Sequence, residues 1–504
     1  MRHFLNFLTA LLLTTGTTAY GQSTEKKEYF AEMEIIVENP SLLRNATIEF
    51  DVSNGNISSD YLSNTELLVF KINSRITKIK VPLSKTLCYA KISFQSEGQK
   101  YIPLNALNNL FILEDSDNIR CSLSTKEIMF SGEGSEKYRY LIEASNKSID
   151  PIVSSGKALN YFHAHDYEKF IYEKKYQIDS LFSVLNEKLD SIKPLLSRDT
   201  YQLIWADNWA RQNEKFLKNL IGITTNINNP DPEYYRSFVR VYRDFLEHFR
   251  SGNFSPEILE KSYSYCAFLY EKEKWEIILR ANPNLRGENR ITFKDLTEAV
   301  ISNNSGSIRD KTMLIAFNKE FRARPGARDC IQLAIDSATD NKYRDELEKF
   351  KAALIGSAFP FAMPDRNGKV HRLGDFKGKL IVMDFWFTGC HPCMELAKAM
   401  KPIVERYRSN PKIVFITVSI DGLKKKEVWL TSLKEQVYTS DHEINLLAED
   451  GIRSAMIRYY NIMAYPTLFI ISKNGKMLTT APTRPFLNDE KTNREFTKVI
   501  EDNL

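Results

Sequence analysis

The run Cys390-His391-Pro392-Cys393 is where this sequence concentrates its chemistry. Two cysteines separated by two residues have a redox reading and a metal reading. If the first cysteine stands at a helix start, the unpaired N–H groups and the helix dipole favour its thiolate. A thiolate is the attacking species in disulfide exchange, and a second thiol one turn on can resolve the mixed disulfide. No second CxxC and no His pair stands at ligand spacing, so a structural zinc is disfavoured. An inert structural disulfide is the other alternative. Neither a metal nor a cofactor is expected.

Three further features lie around that pair. Asp384 stands six residues before Cys390, inside Met383-Asp384-Phe385-Trp386. A carboxylate in an apolar strand is costly unless it is paired or functional. As a base it could take the proton from Cys393 while Cys390 is attacked; the alternative is a solvated carboxylate at a strand edge. Trp386, between the acid and the cysteines, reads as core packing or as a contact to substrate. Tyr465-Pro466-Thr467 directly precedes an apolar strand. A cis Tyr465–Pro466 bond would turn the Tyr465 backbone toward an incoming chain, but an X–Pro bond is cis only about one time in twenty. His391 has two readings, a group that favours the Cys390 thiolate and a solvent-facing side chain.

These residues need elements to hold them in place. Lys379 to Trp386 reads as a buried strand, Pro392 to Tyr407 as a helix, and Lys412 to Val418 as a second buried strand. Helical stretches follow at Lys425–Gln436 and Ile452–Tyr460. A third strand, Thr467–Ser472, then leads to the turn Lys473-Asn474-Gly475-Lys476, and a last helix begins after Asn488. Strand–helix–strand alternation predicts an α/β fold over 355–504. Upstream, Ile178, Leu181, Leu185, Leu189 and Ile192 recur at helical spacing before Pro194. Similar stretches at Tyr201–Leu220, Tyr234–Phe249, Pro256–Leu279 and Tyr343–Leu354 predict a helical domain over 136–350. Before it the period is two: Ile48, Phe50 and Val52 alternate with Glu49 and Asp51, and Ile119, Cys121 and Leu123 with Arg120 and Ser122. With the turn signal Asn54-Gly55, this predicts an antiparallel β-sandwich-like domain over 22–135. The expected fold class is therefore multidomain α+β.

At 504 residues the chain is too long for one core. Lysine and arginine number 69 against 64 acidic residues, and the net +5 is spread along the chain. That distribution gives no electrostatic case for a nucleic-acid partner. Met1-Arg2-His3, the apolar run Phe4–Leu13 and the small residues of Ala19-Tyr20-Gly21 occur in the order of a signal peptide over 1–21. Cleavage is expected before Gln22, with no transmembrane segment afterwards. The mature protein is expected in an oxidising compartment, the periplasm or cell envelope.

The segment from about Gly356 to Leu504 resembles the TlpA/ResA-like branch of the thioredoxin superfamily, in the multidomain secreted form of Bacteroidetes-type bacteria. The matching run is Val382 to Cys393, followed about 75 residues later by Tyr465-Pro466-Thr467. The resemblance covers about 30% of the chain. It implies a thioredoxin fold in which Cys390 is the nucleophile, Cys393 resolves, Asp384 assists proton transfer and Pro466 is cis. Trp386, His391 and Tyr465 are then expected to face substrate. Two positions depart from the pattern. Gly389 stands where a Trp is common, and Leu396 stands where members serving cytochrome c maturation carry Glu, so that role is not carried over. A peroxiredoxin reading fails at Met383, where a proline would be needed.

The expected partners are thiol or disulfide clients among secreted and envelope proteins, with an upstream membrane electron donor. The residues before the redox segment could recognise a client, form a homodimer or hold the site near an envelope component, and a binding or adaptor protein is the alternative reading. Cys88, Cys121, Cys266 and Cys330 allow three pairings, or burial as free thiols.

Overall fold

A computed structural model describes residues 28–504 other than 54–64, 97–98, 104–109, 125–127, 149–155, 227–231, 249–253, 282–290 and 321–325. The signal-peptide stretch and the Asn54-Gly55 turn lie outside the described residues.

Alternation of apolar and polar residues builds the first third. In β1 (Tyr29–Val37), Ala31, Met33, Ile35 and Val37 are buried at period two. Eight more strands follow: β2 (Thr47–Ser53), β3 (Thr65–Lys71), β4 (Ile76–Leu83), β5 (Leu87–Ser96), β6 (Gln99–Pro103), β7 (Phe111–Glu114), β8 (Asn118–Leu123) and β9 (Ile128–Glu133). One sheet runs β4-β1-β8-β9; the other runs β3-β2-β5-β6, with β7 also paired to β5. All pairings here are antiparallel except β1 with β8, which is parallel. That exception brings Ile35 opposite Cys121.

Helical spacing then takes over, in α1 (Ser135–Ser148), α2 (Gly156–His163), α3 (Tyr167–Ile192), α4 (Arg198–Asn226), α5 (Pro232–His248), α6 (Pro256–Lys261), α7 (Tyr263–Ala281), α8 (Phe293–Asn303), α9 (Gly306–Glu320), α10 (Ala327–Ser337) and α11 (Asn341–Ile355). Helix α3 shows the logic. Asp166 caps it by accepting from the Lys169 amide at 3.3 Å, and Ile178, Phe182, Leu185 and Leu189 form its buried stripe. Pro194 then diverts the chain into a short 3₁₀ turn, because it has no N–H to continue the ladder.

The strands and helices share one hydrophobic core that extends without a break from Ala31 to Leu347. A buried polar clamp ties them together. The Asp207 carboxylate on α4 accepts from Tyr89 Oη of β5 at 2.5 Å and from Ser262 Oγ at 2.6 Å.

The C-terminal part has its own sheet. A small hairpin, β10 (Ala362–Pro364) with β11 (Val370–Arg372), precedes β12 (Leu380–Trp386), α12 (His391–Tyr407), β13 (Ile413–Ser419), α13 (Lys426–Glu435), β14 (Ile444–Leu447), α14 (Ala455–Tyr459), β15 (Thr467–Ile471), β16 (Met477–Thr479) and α15 (Glu490–Glu501). The order is β14-β13-β12-β15-β16, parallel among the first three and antiparallel from β12 outward to β16. Central β12 is buried along its whole length. Ile381, Met383 and Phe385 pack on one face. Leu380 and Val382 pack on the other, with Leu396 and Ile403 of α12 and Phe496 and Ile500 of α15. Asp384 and Trp386 share this second face by the period-two rule, so they lie on the side that α12 covers. No helix among the described residues is long and apolar enough to cross a membrane.

Candidate redox site

Strand β12 delivers the chain to a loop that is held from several sides. The Asp421 carboxylate accepts from the Thr388 amide at 3.2 Å and the Thr388 hydroxyl at 2.8 Å, and from Ser419 Oγ at 2.8 Å. Gly389 follows with φ at +95°, a region that favours glycine, and its amide donates to Tyr438 Oη at 2.8 Å. A Cβ at Gly389 would meet nothing within 4 Å, so its backbone conformation, not crowding, favours glycine there.

Cys390 is the N-cap of α12, and its Sγ accepts from the Cys393 amide at 3.2 Å. The two cysteines form a disulfide, with their Cα atoms 5.3 Å apart. Cys390 is 4% exposed and Cys393 1%, so the first cysteine is the more accessible residue of the two. His391 and Pro392 are exposed beside them. Trp386 is fully buried and stacks on Tyr438 with ring centroids 4.5 Å apart. In this state Trp386 forms the wall behind the disulfide and offers no surface to solvent. Tyr465, half-buried, packs against the same cluster and meets Phe387 edge-on at 5.6 Å. The Tyr465–Pro466 bond is cis, and the Pro466 carbonyl accepts from Arg484 at 2.7 Å.

Asp384 is 6% exposed, which removes the reading as a solvated strand-edge carboxylate. Its Oδ1 has no hydrogen-bond partner among the described residues. Burial pushes its pKa well above the ordinary carboxylate range, and the Glu443 carboxylate adds to that; Arg484 and the Phe385 amide oppose it. A polar row crosses the sheet beside it. Asp384 is in register with Thr417, and Thr417 with Asn445. Thr417 Oγ1 donates to Asn445 Oδ1 at 2.7 Å. Thr439 Oγ1 lies within reach of that same oxygen and 3.1 Å from Glu443 Oε2. Glu443 also accepts from the Ser440 amide at 2.6 Å, while burial raises its own pKa.

The residues singled out in the sequence are therefore gathered around one helix N-terminus, on the strand that enters it and on the loop before β15. Asp421, Tyr438, Glu443 and Arg484 were not anticipated. Asp421 was findable, since it lies two residues past the end of a parallel strand, where α/β folds build their sites. The others carry no local signal. Cys88, Cys121, Cys266 and Cys330 are free and buried, so no bridge joins Cys88 to Cys121. Burial raises the Cys121 thiol to about 12, which keeps it from acting as a nucleophile.

A family model described as thioredoxin-like matches residues 378–477. The thioredoxin-like protein YneN of Bacillus subtilis (strain 168) is 29% identical over 136 residues, 27% of this chain and 75% of that protein. A thiol–disulfide oxidoreductase ResA of Bacillus cereus is 30% identical over 125 residues, 25% of this chain and 67% of that protein. The chain belongs to the TlpA/ResA-like thioredoxin-fold family. It is a thiol–disulfide oxidoreductase of that family, with Cys390 and Cys393 as the close cysteine pair of its thioredoxin fold. Among solved structures, a thiol–disulfide oxidoreductase from Bacteroides fragilis NCTC 9343 aligns at 22% identity and a TM-score of 0.25, over 29% of this chain and 99% of that one.

Proposed function

We propose that this TlpA/ResA-like protein exchanges disulfides with client proteins outside the cytoplasm, with Cys390 as the attacked and attacking sulfur and Cys393 as the resolving one. The observation that carries this reading is the Cys390–Cys393 disulfide at the start of α12, with the first cysteine the more exposed of the two. In the oxidised state a client thiolate attacks Cys390 Sγ. The Cys390–Cys393 bond breaks and Cys393 leaves with the electron pair. Asp384, whose protonated form burial favours, is the acid that supplies a proton to that leaving sulfur. A second client thiolate then attacks the client sulfur of the mixed disulfide. The client leaves oxidised and Cys390 is released as a thiolate, which the helix N-terminus favours. Run in reverse, the same steps reduce a client, with Asp384 as the base for Cys393.

The extracytoplasmic placement rests on the basic start, apolar run and small-residue site over 1–21, and N-terminal sequencing of exported protein should find Gln22 first. The catalytic part is tested by equilibrating the protein in glutathione buffers and following thiol labelling. A reversible two-electron couple is expected, absent in Cys390→Ser. In Cys393→Ser a mixed disulfide with client should accumulate, because the protein's own resolving thiol is gone. A pair that never equilibrates would sink the proposal. A potential near about −270 mV makes the protein a reductant fed by a membrane donor, and one near about −120 mV an oxidant.

A further inference from the structure

The loop that ends at the cis bond before Pro466 lies against the redox pair. Phe385 of β12 is in register with Thr467 of β15, so the next residue, Pro466, comes level with Trp386, four residues before Cys390. Tyr465 packs on the cluster that holds both cysteines. One cation is fastened to this loop. Arg484, in the connection between β16 and α15, donates from Nη2 to the Pro466 carbonyl at 2.7 Å. That bond uses one of the five N–H groups of a guanidinium and leaves a complete edge of the fork for a carboxylate. Arg484 is exposed, and among the described residues no carboxylate forms an ion pair with it. The acids that follow it in the chain are engaged elsewhere. Asp489 caps α15 by accepting from the Lys491 and Thr492 amides, and Glu490 pairs with Arg494. Asp384 lies near enough to feel the Arg484 charge, but burial favours the neutral form of that carboxyl. The anchor separates Arg484 from an ordinary surface cation, because a side chain already held in place loses less freedom on binding.

We propose, on the basis of the exchange reaction above, that Arg484 selects clients that carry an acidic side chain close to the reacting cysteine. When the client sulfur is joined to Cys390, the client chain passes over the Pro466 loop and its carboxylate takes the open edge of the guanidinium. The same fixed charge speeds the approach of acidic clients to Cys390.

The test uses the full-length oxidised protein and two reduced cysteine peptides. They are identical except that the residues two before and two after the cysteine are Glu in one and Gln in the other. Exchange rates are read by acid quench and mass. The ratio of rates, Glu peptide over Gln peptide, should fall about fivefold from wild type to Arg484→Gln, the upper end for an exposed ion pair. The peptides' own difference in thiol reactivity cancels in that comparison. Arg484→Lys keeps the charge and should retain most of the ratio, and Arg484→Glu should push it below the Arg484→Gln value. Arg236→Gln, on α5, makes the same change in net charge and should leave the ratio as in wild type. An unchanged ratio in Arg484→Gln, or an equal fall in Arg236→Gln, would overturn the proposal. So would a uniform slowing with both peptides, which would reduce Arg484 to a support for Pro466. Exchange with neither peptide in wild type would overturn the exchange reaction itself, and the selection with it.

Discussion

Asp384 and Cys393 are both buried, and the proton transfer proposed between them should show in pH dependence. In the unfolded chain an aspartate titrates near pH ~3.9. In the folded protein burial, reinforced by Glu443, raises that value. Below the unfolded value both states hold the proton and the penalty is absent. As pH rises past it, the unfolded chain releases its proton while the folded one keeps it, so stability falls until the folded value is reached. Asp384→Asn removes this loss. The variant should melt higher than wild type at pH 7 and no higher at pH 3, as differential scanning calorimetry would show. The same variant should exchange disulfides roughly 10²–10⁴-fold more slowly, the usual contribution of a positioned acid or base. An Asp384→Asn variant with normal kinetics and a flat stability difference would remove Asp384 from the mechanism. At this scale the sequence was readable wherever chemistry is written in a local pattern, as in Cys390-His391-Pro392-Cys393. Glu443 was not readable, because it reaches Asp384 only after β12, β13 and β14 have aligned their polar residues in one row.

The loop between β12 and α12 positions the disulfide through hydrogen bonds rather than through apolar packing alone. Asp421 holds both the amide and the hydroxyl of Thr388, and Tyr438 holds the Gly389 amide. Asp421→Ala should therefore destabilise the protein by about 1–3 kcal/mol, since it orphans partly buried donors. It should also slow exchange with the pair intact, a result read by stopped-flow mixing with a reduced peptide. Stability lost without any change in rate would make the clamp merely structural. The elements themselves were legible where the apolar period is long. The runs of β12, β13 and β15 and the stripe of α3 each carry enough repeats. Strand β14 is four residues long, and the β10–β11 hairpin has three on each side, too short for any period to register. The parallel pairing of β1 with β8 was equally hidden, because alternation sets which face is buried and not which direction a neighbour runs.

Across the whole molecule, two kinds of cysteine are segregated. All six are buried; four are free thiols, and two form the disulfide at the start of α12. Under denaturing conditions the oxidised protein should therefore present four reactive thiols, and six after reduction, counted by mass after alkylation. Two or fewer before reduction would mean a second bridge. Among the described residues, polar links that join the redox part to the rest include Arg453 with the buried Glu49 of β2 and Arg328 with the Leu478 carbonyl. Glu49→Gln should expose the junction near Gly356 to limited proteolysis while leaving the glutathione couple in place; unchanged protease resistance would show that this ion pair does not hold the junction. The sequence announced a strand-rich stretch and a helical one as separate units. It could not show that their buried faces merge, since that depends on which apolar surfaces meet in space.

That merged core also sets an order of events during biosynthesis. A chain delivered N-terminus first cannot complete a core reaching from Ala31 to Leu347 until nearly all of those residues have emerged. Cys390 and Cys393 emerge only after that point. The residues that bury Cys88, Cys121, Cys266 and Cys330 thus all precede the reactive pair in the chain.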